Sequence, residues 1–491
     1  MKQSLEQWFE KFRLNTIGYN YEFHAPYGME KLLYADWIAS GRLYAPIEKR
    51  MTEFIGPFVA NTHTESNATG TLMTDAYHFA REVIKKHVNA SADDVLITTG
   101  FGMTAAIVKL QRILGLKLCG KLAGSDCLEK TMRPVVFITH MEHHSNQTSW
   151  YETTADVVII EPNENMTVNL NDLEEKLRKY ADRKVKIGSF TACSNVTGVH
   201  TPYHAMARLM HKYGGLCFVD FAASAPYEPM NMHPKDEEER LDAIFFSPHK
   251  FLGGPGSSGI LIFHKSLYHS KSPDQPGGGT VEWTNPWGEY QYITDIEVRE
   301  DGGTPGFLQC MRAAYAILLK EQMNPAHIIE REKELLKPAF RGLHNIPGLH
   351  ILADNIEDRL GVISFYIEDL HYNLIVKILS DRFGIQVRGG CACAGTYGHY
   401  LLEVSYEKSH HITSLISSGN LSLKPGWVRL SLHPTMTDQE MEFIIHAIGE
   451  VAKHYDQWKV DYDYDPKTNE FYHKEFKNCS RPIIKNWFTL T

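Results

Sequence analysis

From about residue 94 the chain alternates short, β-branched apolar runs with longer stretches of helical period. DVLIT at 94–98 is followed by a helical pattern over 102–115, then by PVVFIT at 134–139 and DVVIIEP at 156–162. A helix near 170–181, KIGSFTA at 186–192, a helix near 201–213 and LCFVD at 216–220 continue the series. Strand and helix in alternation predict a mainly parallel sheet covered by helices. DAIFF at 242–246 and GILIF at 259–263 are more continuously apolar, which places them centrally and brings the expected strands to seven. The stretch Ser272–Gly306, with PGGG at 276–279 and DGGTPG at 301–306, reads as loops ahead of a domain boundary. A long helical pattern at 306–323 leads to a second set: GVISFYI at 361–367, a helix near 372–383, IQVR at 385–388, and a strand over 427–432. Thr437 with Glu440 makes a capping box that opens a final helix.

The expected architecture is α/β, with a large domain over 34–305 and a smaller C-terminal α+β domain over 306–455. A segment at 1–33 is expected to pack on the small domain. The remaining 456–491, with DYDYD and several aromatics, resists assignment.

Length agrees with two domains, since 491 residues exceed the roughly 250–300 at which single cores stop growing. No stretch offers about 18 uncharged apolar residues, which argues against a membrane span. The N-terminus MKQSLEQWFEKF carries acidic residues and an amphipathic rhythm, so it reads as a mature cytoplasmic start. A formal net charge of −9 with no basic run argues against nucleic acid as a partner. The eight cysteines are too few for a disulfide framework in a chain this long and read as thiols. Cys391 and Cys393 form a close pair, but a C-x-C without a second pair makes a poor zinc site, and no metal is expected.

Three constellations carry chemistry. In FFSPHKFLGGPGSSGIL at 245–261, an apolar strand delivers Ser247, His249 and Lys250 to a glycine-rich turn. A lysine at a strand mouth can be desolvated, which lowers its pKa and makes it a Schiff-base nucleophile, while the Ser and His can hold a phosphate. In LCFVDFAAS at 216–224, Asp220 ends a strand where open α/β sheets place their ligands, and it can pair with a protonated ring nitrogen. In MEHHSNQTSW at 141–150, His143 can stack on a flat cofactor and move protons. Taken singly, each also suits an ordinary surface lysine, a helix N-cap or a loop histidine. Their joint order along the chain is more specific than any one of them.

On this ordered series the chain resembles the class V (fold type I) pyridoxal 5'-phosphate (PLP) enzymes, and among them the cysteine desulfurases and selenocysteine lyases. The likeness runs from about Tyr34 to about Val451. It rests on YADWIAS at 34–40 and on EHHSN, SNVTG, VDFAAS, SPHKFLGGPG, GGGT and GGTP in turn. The resemblance implies Lys250 as the cofactor-binding lysine, His143 as the ring-stacking acid/base and Asp220 as partner of the pyridine nitrogen. It implies Asn195 near the cofactor hydroxyl, and Ser247 and His249 at its phosphate. Thr280, in the GGGT run, would reach the phosphate of a second subunit, making a homodimer with shared active sites. Arg429, in WVRLSLHP, matches the arginine that takes the substrate carboxylate, with Arg388 as a second.

Two departures from the family pattern stand out. Where a hydroxyl-bearing residue usually cradles the phosphate, this chain reads TGFGMT, so Gly102 supplies only a backbone N–H and Thr104 is the candidate substitute. Where desulfurases typically carry Gln, it has Ala223.

RGGCACAG at 388–395 decides the expected reaction. Cys393 falls where desulfurases of the SUF type keep their catalytic cysteine, and Cys391 two residues earlier resembles the R-x-G-C-x-C loop of molybdenum cofactor sulfurases. The implied activity is removal of sulfur from L-cysteine or an analogue, giving L-alanine and a persulfide on Cys393, with Cys391 a candidate relay and a protein as candidate acceptor. The alternative is another class V enzyme, a lyase, selenocysteine lyase, epimerase or aminotransferase, in which the cysteine loop accepts no sulfur. A polar insertion over 396–425 reads as a lid, a docking surface or a tolerated surface loop.

Overall fold

The computed structural model describes residues 3–62, 64–117, 129–476 and 480–490; Cys119, Cys127 and Cys479 lie outside them. Its centre is a seven-stranded sheet: β1 (Asp94–Thr99), β2 (Val135–Thr139), β3 (Asp156–Ile160), β4 (Lys186–Thr191), β5 (Leu216–Asp220), β6 (Ala243–Phe246) and β7 (Gly259–His264). The spatial order is β1-β7-β6-β5-β4-β2-β3. Strands β2 to β6 pair in parallel, and β7 runs antiparallel between β6 and β1.

Period-two alternation sends successive side chains to opposite faces, each with its own core. On one face Val135, Phe137, Val219, Ile244 and Phe246 pack under the helices Ala68–His87, Tyr203–Lys212 and Phe307–Met323. On the other, Val136, Ile138, Phe218 and Phe245 pack under the Met103–Ile113 helix. Burial on both faces explains why these strands read as nearly unbroken apolar runs.

A second sheet is formed by β8 (Leu349–Ile351), β9 (Val362–Ile367), β10 (Arg388–Gly390) and β11 (Trp427–Ser431), in the order β8-β9-β11-β10 and antiparallel throughout. The helices Pro325–His344, Tyr372–Phe383 and Asp438–Trp458 share its core, and the last opens on the expected Thr437–Glu440 capping box with both reciprocal bonds formed. The Leu5–Leu14 helix, capped by Ser4, leads into a hairpin of Glu22–Ala25 with Gly28–Lys31. Leu33–Tyr34 then pairs in parallel with Ile385–Gln386.

Three expectations need correction. The stretch 272–306 is not all loop: Val281–Thr284 and Tyr290–Tyr292 form a hairpin, and Ile296–Arg299 a short helix capped by Asp295. The hairpin turn is held by the Asn285 side chain, which accepts from the N–H groups of Trp287 and Glu289, a local bond hidden by the Pro/Gly density. IQVR is not one strand, because its first two residues pair with Leu33–Tyr34 and Arg388 starts β10. The tail contains a hairpin of Tyr462–Asp465 with Glu470–His473 and a helix over Ser480–Trp487, so the alternation in DYDYD was a strand signal. No helix among the described residues is long and apolar enough to cross a membrane.

Candidate active site

The carboxyl ends of β1, β2, β4, β5 and β6 open onto one cavity of about 620 Å³, within the size range of small-molecule sites. Gly102, Thr104, His143, Asn195, Asp220, Ser247, His249, Lys250, Arg388, Cys393 and Arg429 all line it. The sequence scattered these residues over more than 320 positions, and the topology collects them.

At one end lies a cradle for an anion. Gly102 N-caps the Met103–Ile113 helix with an extended backbone, and the N–H of Met103 donates to Ser247 Oγ at 2.8 Å, tying the helix start to the end of β6. The first N–H groups of a helix have no partner within it and carry a partial positive charge. Thr104 Oγ1 meets Ser145 Oγ at 2.6 Å nearby. A Cβ at position 102 would stand 3.0 Å from Ser247 Oγ and 3.6 Å from the His249 ring, so this position borders the cradle directly. Burial and the neighbouring Lys250 pull His249 down to about 4, leaving it neutral. A phosphate fits this set of hydroxyls, imidazole and helix terminus.

Lys250 and Asp220 line the same cavity and attract each other. Desolvation of the ammonium outweighs the attraction of Asp220 and holds Lys250 at about 8. Asp220 is 3% exposed, and burial pushes it up to about 6 although its Oδ1 accepts the Ala222 N–H at 2.8 Å. A buried carboxylate with so little compensation is suited to a cationic ring nitrogen. His143 caps the His144–Tyr151 helix, its Nδ1 accepting from the Ser145 N–H at 3.1 Å, which leaves the proton of the neutral ring on Nε2. Burial, Lys250, His144 and Arg429 together pull it to about 3. The ring is therefore neutral at physiological pH, the state that suits it to lie on a flat aromatic ligand.

Lys250 as a buried amine, Asp220 as its acidic neighbour and the phosphate-shaped cradle fit PLP, and the residues on hand could hold each of its polar groups.

The second sheet contributes two arginines to the cavity wall. Arg388 on β10 and Arg429 on β11 are directly paired in register. Arg429 is buried, with Nη1 donating to the Asn195 carbonyl at 3.2 Å and Nη2 to Asp36 Oδ1 at 2.8 Å. Arg388 donates from Nε to Asp36 Oδ2 at 3.1 Å. Asn195 also donates from Nδ2 to the Ala392 carbonyl at 2.8 Å, so it joins the cavity wall to the cysteine loop. Cys393 is exposed at the rim, where it and Ala392 have left-handed backbone, φ 58° and 49°.

Two predicted residues are not in the cavity lining. Cys391 is a half-buried free thiol packed against the main core. Thr280 is buried in its own turn, its hydroxyl donating to the Gly277 carbonyl at 2.6 Å. Ala222 and Ala223 line the cavity with methyl groups, which offer a ligand no side-chain hydrogen bond. The insertion after Cys393 forms two helices, Gly395–Leu401 and Tyr406–Ser417.

Sequence reasoning missed Asp36, Ser145 and Glu142. Asp36 lay in a quoted motif, and a lone acid between Ala35 and Trp37 was the available signal. Glu142 is buried and raised to about 7 by desolvation, with its oxygens accepting from the N–H groups of Thr139 and Thr191 and from Asn146. It fastens the ends of β2 and β4 beneath the site.

A lysine-centred cavity at the carboxyl edge of a seven-stranded α/β sheet, with an acid for a ring nitrogen and a helix terminus for a phosphate, defines the fold type I class of PLP enzymes. A profile of the aminotransferase class-V family matches residues 33–444. The chain belongs to that family, whose members are PLP-dependent enzymes. Among its relatives, a protein of Halalkalibacterium halodurans named "probable cysteine desulfurase" is 28% identical over 371 residues, 74% of this chain and 84% of the relative. One of the same name from Staphylococcus epidermidis is 27% identical over 369 residues, again 74% and 84%. The fold is similar to that of a cysteine desulfurase from Thermococcus onnurineus, with a TM-score of 0.71 at 22% identity over 90% of this chain and 98% of the other. It is also similar to one from Escherichia coli, with a TM-score of 0.69 at 20% identity, over 91% and 98%.

Proposed function

We propose that the chain is a PLP-dependent cysteine desulfurase that moves sulfur from L-cysteine onto Cys393. The observation that carries this reading is an exposed thiol, Cys393, on the rim of the same cavity that contains Lys250, Asp220 and the paired arginines. PLP, when bound, supplies the electron sink that labilises bonds around the substrate Cα. Lys250 Nζ, held at about 8, gives up its proton far more readily than an exposed lysine, which suits it to bind the cofactor aldehyde and to take and return the Cα proton. Asp220 would keep the ring nitrogen protonated, and the cradle of Gly102, Thr104, Ser247 and His249 would hold the phosphate. His143 would cover the ring face, and Asn195 would stand near the cofactor hydroxyl. Arg429, with Arg388, binds the substrate carboxylate and so aims the substrate sulfur at Cys393. The C–S bond of L-cysteine breaks, an S–S bond forms on Cys393, and L-alanine leaves, which balances as L-cysteine plus enzyme thiol giving L-alanine plus enzyme persulfide.

Around this core we infer a cytoplasmic homodimer in which the Thr280 turn, on giving up its bond to the Gly277 carbonyl, reaches the phosphate of the other subunit, with Cys391 as relay and a protein as final sulfur acceptor. The three buried thiols Cys193, Cys217 and Cys310 support a reducing compartment. We also infer a large domain over 34–305, a small domain over 306–455, an N-terminal segment that belongs with the small domain, and an extension from 456. Arg13, whose guanidinium donates to the Thr435 carbonyl at 3.0 Å, supports the placement of that segment.

The test is incubation of purified protein with PLP and L-cysteine, with alanine and Cys393 persulfide measured by mass spectrometry. Alanine without persulfide, or alanine formation untouched by Cys393→Ala, would move the enzyme to a class V lyase or epimerase. The variant is expected to retain its cofactor while losing persulfide.

A further inference from the structure

We propose that Asp36 is a specificity-determining residue: by pairing with both Arg388 and Arg429 it leaves their subsite one net positive charge, which admits amino acids with a single carboxylate and rejects those carrying a second anionic group. This rests on the reading that the two arginines receive the substrate carboxylate.

The geometry starts from the cross-strand register. Arg388 and Arg429 stand directly opposite each other on β10 and β11, where like charges repel. Asp36 inserts one carboxylate oxygen toward each, at 2.8 Å from Arg429 Nη2 and 3.1 Å from Arg388 Nε. Two guanidinium charges thus share one carboxylate charge. Were Asp36 missing, the same subsite would present two unneutralised cations beside the cavity, the charge pattern of a dianion receptor.

Asp36 is built as a fixture, not as a plug that substrate pushes aside. It is 9% exposed, and its backbone bridges in parallel to Ser431, two residues from Arg429. The Ser431 N–H donates to the Ala35 carbonyl at 2.8 Å, and the Ile38 N–H donates to Ser431 Oγ at 3.0 Å. Tyr34 donates its hydroxyl to the Asp36 carbonyl at 3.1 Å, and Trp37 stacks on His433 with ring centroids 3.9 Å apart. With its backbone so anchored and each carboxylate oxygen bonded to an arginine, Asp36 is in place when the ligand meets the pair.

The arginines divide the remaining donors. Arg429 is fixed by Asp36 on one side and the Asn195 carbonyl on the other, while its Nε is buried without a hydrogen-bond partner among the described residues. Arg388 keeps a side chain 51% exposed on the cavity wall beside Cys393. A first carboxylate suits Arg429. A second anion on the substrate side chain would turn to Arg388, whose charge Asp36 has already drawn off.

The experiment uses the PLP-loaded protein, wild type against Asp36→Asn, Asp36→Glu and Arg388→Gln. Two readouts are compared: equilibrium binding of L-alanine and L-aspartate from perturbation of the visible cofactor band, and kcat/KM for alanine formation from L-cysteine and L-cysteine sulfinate. Asp36→Asn is expected to tighten L-aspartate about tenfold relative to L-alanine, the order expected from one charge at a partly solvated site. It should shift the substrate ratio toward the sulfinate by a similar factor through KM. Asp36→Glu, which keeps the charge, should keep the wild-type ratios. Arg388→Gln, at an exposed position that folding tolerates, should weaken L-aspartate about tenfold more than L-alanine. Equal losses for both ligands in Asp36→Asn and Arg388→Gln, or an altered ratio in Asp36→Glu, would overturn the proposal. A wild type that binds L-aspartate as tightly as L-alanine would overturn the proposal, whereas one that favours L-alanine yet makes no alanine from cysteine would sink the desulfurase reading alone, since the binding ratios do not depend on sulfur transfer.

Discussion

The backbone N–H of His144 donates to the carbonyl of Cys393 at 2.8 Å. The ring of the same histidine accepts the Gly395 N–H on Nε2 at 2.9 Å, so one residue of the β2 loop grips the cysteine loop from both sides. That grip holds Ala392 and Cys393 in left-handed backbone, a conformation that costs non-glycine residues on the order of 1–3 kcal/mol each. We predict that His144→Ala loosens the loop while leaving the cofactor cradle intact. Amide hydrogen exchange over 391–395 should quicken, and kcat for alanine formation should fall about three- to tenfold with the visible spectrum unchanged. Unchanged exchange in the loop would show that the imidazole contributes nothing to its order. The accepting Nε2 must be unprotonated, and burial together with Lys424 lowers the His144 pKa, so the grip holds at neutral pH and is lost on acidification through that lowered value.

Lys250 stores an instability that the cofactor relieves. Its folded pKa of about 8 lies below the model-compound 10.5, so the folded state binds fewer protons between those values. The destabilisation is fully present below pH 8 and fades as the pH rises toward 10.5. A shift of that size corresponds to roughly 2–3 kcal/mol after allowance for solvent in the cavity. In cofactor-free protein, Lys250→Met is therefore expected to raise Tm at pH 7 by about 3–6 °C. The gain should shrink on going to pH 10.5, as followed by thermal unfolding at the two pH values. A gain independent of pH would assign the effect to packing instead of charge.

Asp220 repeats the argument with the opposite sign. Its folded pKa of about 6 lies above the usual 3.8, so the stability of the folded state falls as pH rises through that interval. Asp220→Asn should make the cofactor-free protein more stable at pH 7 by about 1–3 kcal/mol. The same variant should lose alanine formation by at least about a hundredfold, because an amide cannot hold the ring nitrogen protonated. Added PLP should also raise its Tm by less than it raises that of wild type. A variant that is less stable without cofactor would mean that the carboxylate is needed for packing.

The large sheet was legible because burial on both faces writes each strand as an apolar run, and all seven fall within two residues of where the pattern put them. Lys250, Asp220 and His143 were legible for a related reason: each directly follows such a run, so locating the strand located the residue. The hairpins at 281–292 and 462–473 were not, since their strands are three or four residues long, mostly exposed or half-buried, and held by turn chemistry instead of a buried face. The role of Asp36 was hidden in another way. Its partners are 352 and 393 residues away, and only the pairing of β10 with β11 beside the parallel Leu33–Gln386 ladder brings them together. The neutrality of His143 was equally invisible, because it follows first from burial of the ring and then from Lys250, His144 and Arg429 being brought near it in space.

Two glycines at the phosphate cradle give contrasting predictions. Gly102 has extended backbone that any residue adopts, and the nearest atoms a Cβ there would meet are Ser247 Oγ, at 3.0 Å, and the His249 ring, at 3.6 Å. Both neighbours are side chains that can give by a few tenths of an ångström. Gly102→Ser should therefore fold with a loss below about 1.5 kcal/mol and, by adding a donor at the helix terminus, slow PLP dissociation several-fold. At Gly259 a Cβ would lie 2.3 Å from the Gly102 carbonyl oxygen, which is backbone and cannot yield without separating β7 from the cradle. Gly259→Ala should lose cofactor retention and at least about 2–3 kcal/mol of stability. Absorbance after gel filtration reads retention, and urea unfolding reads stability. Faster cofactor loss in Gly102→Ser would show that crowding of Ser247 outweighs the new hydroxyl, and that the cradle works only while position 102 has no side chain.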